Sequence, residues 1–303
     1  MKLPEMPQDA VKVCGVIVTY QPCSERLAEL VRAVRPQLTA LLIVDNGSDF
    51  DFTDLRALHQ CEVIELGDNL GIAKAQNDGI MRARTLGADY VLLLDQDSIP
   101  APDMVATLVR AHVDLASSEQ QIAAVGPSYV DPRQGEAAVF VDLDGLKLRR
   151  RERKAEDKVA EADFLIASGC LIAMSTLDRV GLMVEELFID YVDVEWGLRA
   201  RSDGYLSFGV YAAKMEHALG DEWISFRNRR VPLRSPLRHY YHIRNAVWLS
   251  RQSWISSSWR IVLLVRSLKQ LIFFFAFAPR RFEHLRMMAL GLWHGVRGRM
   301  GRI

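Results

Sequence analysis

Two carboxylates two positions apart, Asp95 and Asp97, directly follow the apolar run Tyr90 to Leu94 (YVLLL). Side chains at i and i+2 of a strand end point to the same side, so both would face one cleft. Like charges that close repel, and both stay ionised only where a cation sits beside them. A hard divalent ion bridging to a phosphate is the chemistry such a pair can do; an ordinary polar turn is the plainer alternative. A second acidic cluster, Asp190, Asp193 and Glu195, lies in the string FIDYVDVEW ahead of Arg199. Its carboxylates suit a helix start, where the dipole favours negative charge. One of them could instead act as general base toward a hydroxyl. His217, next to Glu216, could complete a metal site or be an ordinary histidine.

Other polar groups follow predicted strands. Thr19 and Tyr20 offer a hydroxyl and an aromatic face for stacking. Asp45, in the turn-forming string DNGS, could accept a hydrogen bond from a base imide N–H. The string NLGIAKAQNDG from Asn69 reads as a helix entry with small residues at Gly71, Ala73 and Ala75. Small residues there let a phosphate approach free N–H groups, or they serve plain packing. In RHYYHIRN, Arg238 and Arg244 suit diphosphate recognition.

The elements that must position these groups are short and alternate. Val13 to Thr19, Ala40 to Val44, Glu62 to Leu66 and Tyr90 to Leu94 read as buried strands, and Arg26 to Val34 and Ala73 to Thr85 as helices. Strands separated by helices predict an α/β fold with a mostly parallel sheet and function at the strands' carboxyl ends. Phe164 to Met174 reads as strand-like, Val194 to Arg201 as a helix and Leu206 to Tyr211 as a strand. Leu146 to Lys158 is charge-dense and reads as a solvated helix or loop. From about Pro236 the chain is helical, basic and aromatic, and Pro279 splits its last part in two. The expected organisation is a catalytic unit over 1–235, with halves 11–130 and 131–235, followed by a basic amphipathic helical region over 236–303.

The chain of 303 residues has 38 basic and 38 acidic side chains, but residues 214–303 carry 17 against 4. Halves of opposite charge suggest different partners, or two surfaces that attract each other. Half the residues are hydrophobic, which excludes a disordered chain. The four cysteines have no metal spacing and read as reduced, as in a cytosolic compartment. No apolar leader follows Met1 to Asp9, so no secretory signal is expected. Arg266 and Lys269 interrupt the longest apolar stretch, Ile261 to Ala278, which argues against a spanning helix. Its aromatics beside arginines suit an anionic membrane interface, or packing on protein.

Taken in order, VTY, VDNGS, DNLGIAKAQNDGI, LLLDQDS, FIDYVDVEWGLRA, MEH and RHYYHIRN resemble inverting family 2 glycosyltransferases of the GT-A fold. Over roughly residues 11–250 the closer resemblance is to their bacterial rhamnosyltransferase branch. The resemblance implies a nucleotide-diphospho-sugar transferase that moves L-rhamnose from dTDP-L-rhamnose to a saccharide or lipid-linked hydroxyl. The setting it implies is cell-surface glycan or glycolipid synthesis, such as lipopolysaccharide core or O-antigen, on the inner face of the bacterial plasma membrane. Thr19, Tyr20 and Asp45 would hold the base and Asp95 the ribose side. Asn46, Asn69, Gly71, Asn77 and Gln96 fall in the same donor motifs. Asp97 and His217 would ligate Mg²⁺ or Mn²⁺, and Arg244 would steady the departing diphosphate. Asp193 falls at the family's base position. Val192 stands where the motif has an acid, which leaves Asp190 and Glu195 as substitutes. Ser168, Gly169, Tyr191 and Trp196 fall on the acceptor side. No QxxRW string is present, so one sugar per encounter is implied. Another UDP- or GDP-sugar donor, or a non-catalytic membrane adaptor, are the rival readings; nucleic acid is not an expected partner, and a homo-oligomer is possible.

Overall fold

The computed structural model describes residues 11–130, 140–151, 157–217, 222–226 and 229–303. The N-terminal stretch Met1 to Asp9 and residues 152–156 of the charge-dense segment lie outside the described residues. The elements run β1 (Val13–Thr19), α1 (Ser24–Val34), β2 (Ala40–Asp45), α2 (Thr53–His59), β3 (Glu62–Glu65), α3 (Ile72–Thr85), β4 (Tyr90–Asp95), β5 (Ser98–Pro100), α4 (Met104–Ala116) and β6 (Ile122–Val130). They continue with β7 (Phe140–Asp144), β8 (Lys147–Arg151), β9 (Val159–Ala162), β10 (Cys170–Ala173), α5 (Met174–Val180), α6 (Val192–Ser202) and β11 (Leu206–His217). A hairpin of β12 (Glu222–Phe226) and β13 (Arg229–Leu233) precedes α7 (Pro236–Ser250), α8 (Ser257–Phe277) and α9 (Arg281–Arg297).

Every residue of β1 is buried, as an uninterrupted apolar strand requires when helices cover both sheet faces. Cys14, Val16 and Val18 join a core beneath α3 and α6, while Val13 and Ile17 join a second core beneath α1 and α4. In α1 the stripe Leu27, Leu30, Val31 and Val34 is the buried face, at helical spacing.

The main sheet has the order β3-β2-β1-β4-β10-β6-β11-β5, with β9 also on β11. It is parallel across β3, β2, β1 and β4 and mixed beyond, because β10 runs antiparallel to both β4 and β6. Parallel register places Thr19 beside Asp45 and Val18 beside Asp95, so the carboxyl ends of three strands share one edge of the molecule. The antiparallel pairing of β11 with β5 sets His217 beside Ser98, one residue after Asp97.

Two segments differ from expectation. Of Phe164 to Met174 only Cys170–Ala173 is strand, because Gly169 takes a left-handed φ of 81° and turns the chain just before it. Within Leu146 to Lys158, Lys147–Arg151 is a strand rather than a helix or loop. It pairs with Phe140–Asp144, and Arg149 and Arg151 both meet Asp142, which neutralises the like charges. In the C-terminal part Ser235 and Ser256 cap α7 and α8 through their hydroxyls, and Pro279 lies between α8 and α9. Among the described residues no helix is long and apolar enough to cross a membrane.

Candidate active site

At the end of β4 the ligand atoms of Asp95, Asp97 and His217 lie within 4.8 Å of one another. His217 Nδ1 is 3.4 Å from Asp97 Oδ1 and 2.8 Å from Ser98 Oγ. Ser168 Oγ accepts from the Asp95 amide at 3.1 Å and also bonds Ser98 Oγ. Ser168, expected on the acceptor side, is thus a support beneath the acidic pair. Burial pushes the Asp95 carboxyl above the usual range, and the Asp97 charge adds to this, against the pull of His217 and Arg238. Two hard oxygen donors and one imidazole nitrogen, with a carboxylate that burial and a like charge destabilise, fit a divalent cation.

Beside this group, Asp45 is buried and fully engaged by its own chain. Its Oδ1 accepts from Thr19 Oγ1 (2.8 Å) and Ser48 Oγ, and its Oδ2 from the amides of Gly47 (3.2 Å) and Ser48 (2.7 Å). All four acceptor positions are therefore taken, and a base imide would have to displace a hydroxyl to reach it. Asn46 accepts from Leu70 N (2.8 Å) and donates to Asn69 Oδ1 (3.1 Å), which also accepts from Gly71 N (3.1 Å). Gln96 exchanges two hydrogen bonds with the Tyr20 backbone, and the Tyr20 ring stays exposed. These residues tie the ends of β1, β2 and β4 and the entry to α3 into one hydrogen-bonded network.

The α3 entry is not open to a phosphate. Gly71 has a φ of 92°, and a Cβ there would come within 2.8 Å of the Phe188 backbone. The Ile72 amide donates to Phe188 O at 2.7 Å. Gly71 is small so that its own chain, not a ligand, can approach. Asn77 likewise clamps the chain, exchanging bonds with the Met183 backbone at 2.9 and 3.0 Å.

The second acidic cluster spans a strained loop, which carries Asp190, and the first turn of α6, which carries Asp193 and Glu195. Phe188, Asp190 and Tyr191 all have φ near 65°, a region that non-glycine residues rarely adopt. From α7, Asn245 Nδ2 donates to the carbonyls of Leu187, Ile189 and Asp190 at 2.8–2.9 Å. Arg244, with no exposed surface, donates to those of Glu186 (3.1 Å), Leu187 (2.9 Å) and Gly301. Arg244 is therefore a clamp on this loop, and the structure does not bring it to the cleft. A buried guanidinium needs acceptors on every side, and backbone carbonyls provide them.

The three carboxylates have different partners. Glu195, 1% exposed, is held by Arg199 at 2.7 and 3.1 Å, in the core rather than the cleft. Asp190 is paired with Arg234 at 2.8 Å and Arg238 at 3.2 Å. Asp193 accepts from Val194 N at 2.8 Å and meets no arginine among the described residues. Burial, with Asp95 and Asp190 nearby, pushes it up to about 6, where a general base works near neutral pH.

A cleft of about 340 Å³ joins the clusters; Asp95, His217, Asp190, Tyr191 and Asp193 line it with Arg234, Arg238, His242 and Arg266. Of the four residues expected to meet the acceptor, Tyr191 alone lines it. Trp196 is core, its Nε1 bonded to Gly181 O at 2.9 Å, and Gly169 packs so tightly that a Cβ would collide with Pro127. Sequence reasoning missed Ser98, Arg234, His242, Asn245 and Arg266. Arg266 had left a signal, as the charge that breaks an apolar helical run.

Comparison with known proteins agrees with this geometry. A family profile described as glycosyl transferase family 2 matches residues 15–168. The chain is 31% identical over 291 residues to the dTDP-rhamnosyl transferase RfbF of Shigella flexneri, covering 95% of this chain and 97% of that one. It is 28% identical to the galactofuranosyltransferase GlfT1 of Mycolicibacterium smegmatis, over 84% of this chain and 91% of that one. Among solved structures, S. aureus TarS 1–349 with UDP-GlcNAc superposes with a TM-score of 0.54 at 14% identity, over 95% of this chain and 92% of that one. GalNAc-T7 with UDP, GalNAc and Mn²⁺ gives 0.60 at 14% identity, covering 87% of this chain, which spans about half (55%) of that one. Sheet, site and relatives converge: the chain is a glycosyltransferase of family 2, with the GT-A-like fold, and its homology to RfbF supports rhamnosyl transfer.

Proposed function

We propose that this enzyme transfers L-rhamnose from dTDP-L-rhamnose to a hydroxyl of a saccharide or lipid-linked acceptor in cell-surface glycan synthesis, with inversion at the anomeric carbon. The observation that carries the mechanism is one cleft lined both by Asp95 and His217, which with neighbouring Asp97 make a cation-ready group, and by a lone raised carboxylate, Asp193. The donor rests on the relative at 31% identity.

A Mg²⁺ or Mn²⁺ ion held by Asp95, Asp97 and His217 would offset the charge of the donor diphosphate. Arg234 and Arg238, now paired with Asp190, are placed to do the same from α7 and the segment before it. Asp193 Oδ takes the proton of the acceptor hydroxyl as its oxygen attacks the anomeric carbon. The bond to the diphosphate oxygen breaks with its electron pair on the leaving group, and Asp193 keeps the proton. A single displacement inverts the centre and needs no carboxylate nucleophile. Tyr20, Asn69 and Gln96 would form the base and ribose rim, with Thr19, Asp45 and Asn46 holding it from beneath. An anionic membrane face is part of the proposal. Leu264, Leu268, Ile272, Phe275 and Phe282 are exposed on α8 and α9, and residues 254–303 hold nine basic side chains and one acidic one.

Thermal shift with Mn²⁺ tests the donor: stabilisation by dTDP above UDP and GDP is expected. Equal shifts, or a preference for UDP, would replace rhamnose with the second reading, a UDP-linked sugar of the kind GlfT1 and TarS make plausible.

A further inference from the structure

We propose that α7 and α8 form the acceptor subsite, where His242 bonds a second hydroxyl of the acceptor sugar and Arg266 pairs with a phosphate group on the acceptor. This rests on the transfer reading above and names its substrate class: a phosphate-bearing saccharide rather than a neutral one.

His242 is 9% exposed and forms part of the wall that also holds Asp193. Its ring stands edge-on to Tyr191, two residues from Asp193, at 4.7 Å between centroids. Its Nδ1 is buried with no hydrogen-bond partner among the described residues. Buried polar atoms are nearly always satisfied, and an orphan in a site wall is one that a ligand completes. Burial pushes His242 down to about 3, against the pull of Asp190 and helped by Arg234 and Arg266. A neutral imidazole offers one N–H and one bare nitrogen, which is the complement of a sugar hydroxyl.

The surroundings separate acceptor from donor. Asp193 must touch the attacking hydroxyl, so the wall contiguous with it through Tyr191 meets the acceptor ring. That wall continues into Phe164, Trp259 and Leu263, apolar surface against which sugar C–H faces pack. Arg234 and Arg238 already pair with Asp190, whereas Arg266 is exposed and makes no ion pair among the described residues. An unpaired guanidinium at the rim of such a wall recognises a phosphate in two-pronged fashion.

The test uses the full chain. Stabilisation by dTDP with Mn²⁺ is measured first; its absence strikes the donor reading alone, and the panel is then run with whichever nucleotide sugar does stabilise the protein. Transfer is followed by mass spectrometry to methyl pyranosides, the matching sugar 1-phosphates, and short-chain prenyl diphosphate-linked sugars. Phosphate-bearing probes are expected to show a KM at least about tenfold below the methyl pyranosides, a preference that Arg266→Gln removes. His242→Phe, which keeps the packing on Tyr191, should raise acceptor KM at least about tenfold and leave donor KM unchanged, with partial recovery in His242→Asn. Preference for the prenyl diphosphates over the 1-phosphates assigns the anion to a lipid linker, and equal use assigns it to a soluble sugar phosphate. No transfer to any phosphate-bearing probe, no preference over methyl pyranosides, unchanged acceptor KM in both variants, or an equal rise in donor KM would each overturn the subsite.

Discussion

The two acidic clusters are built from the same residue type and do opposite things with it. At the end of β4, Asp95 and Asp97 are brought together with His217 and share no arginine ion pair among the described residues. Across the strained loop and the first turn of α6 the carboxylates are kept apart, and two of three are neutralised: Glu195 by Arg199, Asp190 by Arg234 and Arg238. Among the described residues Asp193 alone has no arginine partner and is met by backbone amides. A shared, unbalanced negative charge attracts a cation, whereas an isolated, half-buried one attracts a proton. The partners of each carboxylate, rather than its spacing in the chain, assign its chemistry.

The sharpest way to break this contrast is Asp193→Asn. Removing a general base lowers turnover by roughly 10²–10⁴-fold, with donor binding preserved. Activity close to the parent would move the base elsewhere and end the contrast. Next in size, Glu195→Ala removes the carboxylate that Arg199 pairs with in the core, leaving the guanidinium with the Val180 and Leu182 carbonyls among the described residues. Breaking a buried pair costs about 3 kcal/mol or more, so chemical denaturation should show a large loss of stability. Full stability with lost turnover would instead mean that Glu195 takes part in the reaction. At the other cluster, Asp97→Asn should abolish the Mn²⁺-dependent part of donor stabilisation, worth about 2.7 kcal/mol when ligand is at a hundredfold its Kd. A metal-independent dTDP shift of unchanged size in the parent protein would refute the cation reading.

How far these roles can be read in the sequence follows from what each depends on. The strands β1, β2 and β4 carry no charged residue and no Ser or Thr before their last position, which is Thr19, Asp45 or Asp95, so their place and the edge they form are local properties. The pairing of His217 with Asp97 depends on β5 lying antiparallel to β11, a contact across more than a hundred residues. The motif order carried it, but periodicity did not. Arg244 and Asn245 show the limit most plainly. An Arg-Asn pair on a helix looks like ligand chemistry, yet both serve a loop whose left-handed φ angles no local pattern announces. The same holds for Gly71, whose small size suits phosphate approach or packing alike, and for Trp196, which the resemblance places on the acceptor side; both are close-packed. Side chains that satisfy a distant backbone look the same in sequence as those that bind a ligand.

The smallest effect is the most specific to Asp193, because it links stability to pH. Its carboxyl is raised from 3.8 to about 6 in the folded protein, so folding disfavours its ionised form. A raised acid opposes folding once the pH exceeds its folded value, and this opposition vanishes below its unfolded value. Two units correspond to roughly 2–3 kcal/mol, which partial exposure of the cleft reduces to about 1–2. Metal-free Asp193→Asn should therefore be more stable than the parent at pH 7, and the two should converge as pH falls from about 6 to about 4. Glu195→Ala, by contrast, should be the less stable protein at pH 7, because it removes the acceptor of Arg199. Transfer should follow the same group in the other sense, because the base must be ionised: the rate rises with pH up to about 6 and then levels. A parent and Asp193→Asn pair with parallel stability curves from pH 4 to 7 would place the titrating carboxylate elsewhere, with Asp190 the next to examine, since its two arginines would then have to release it.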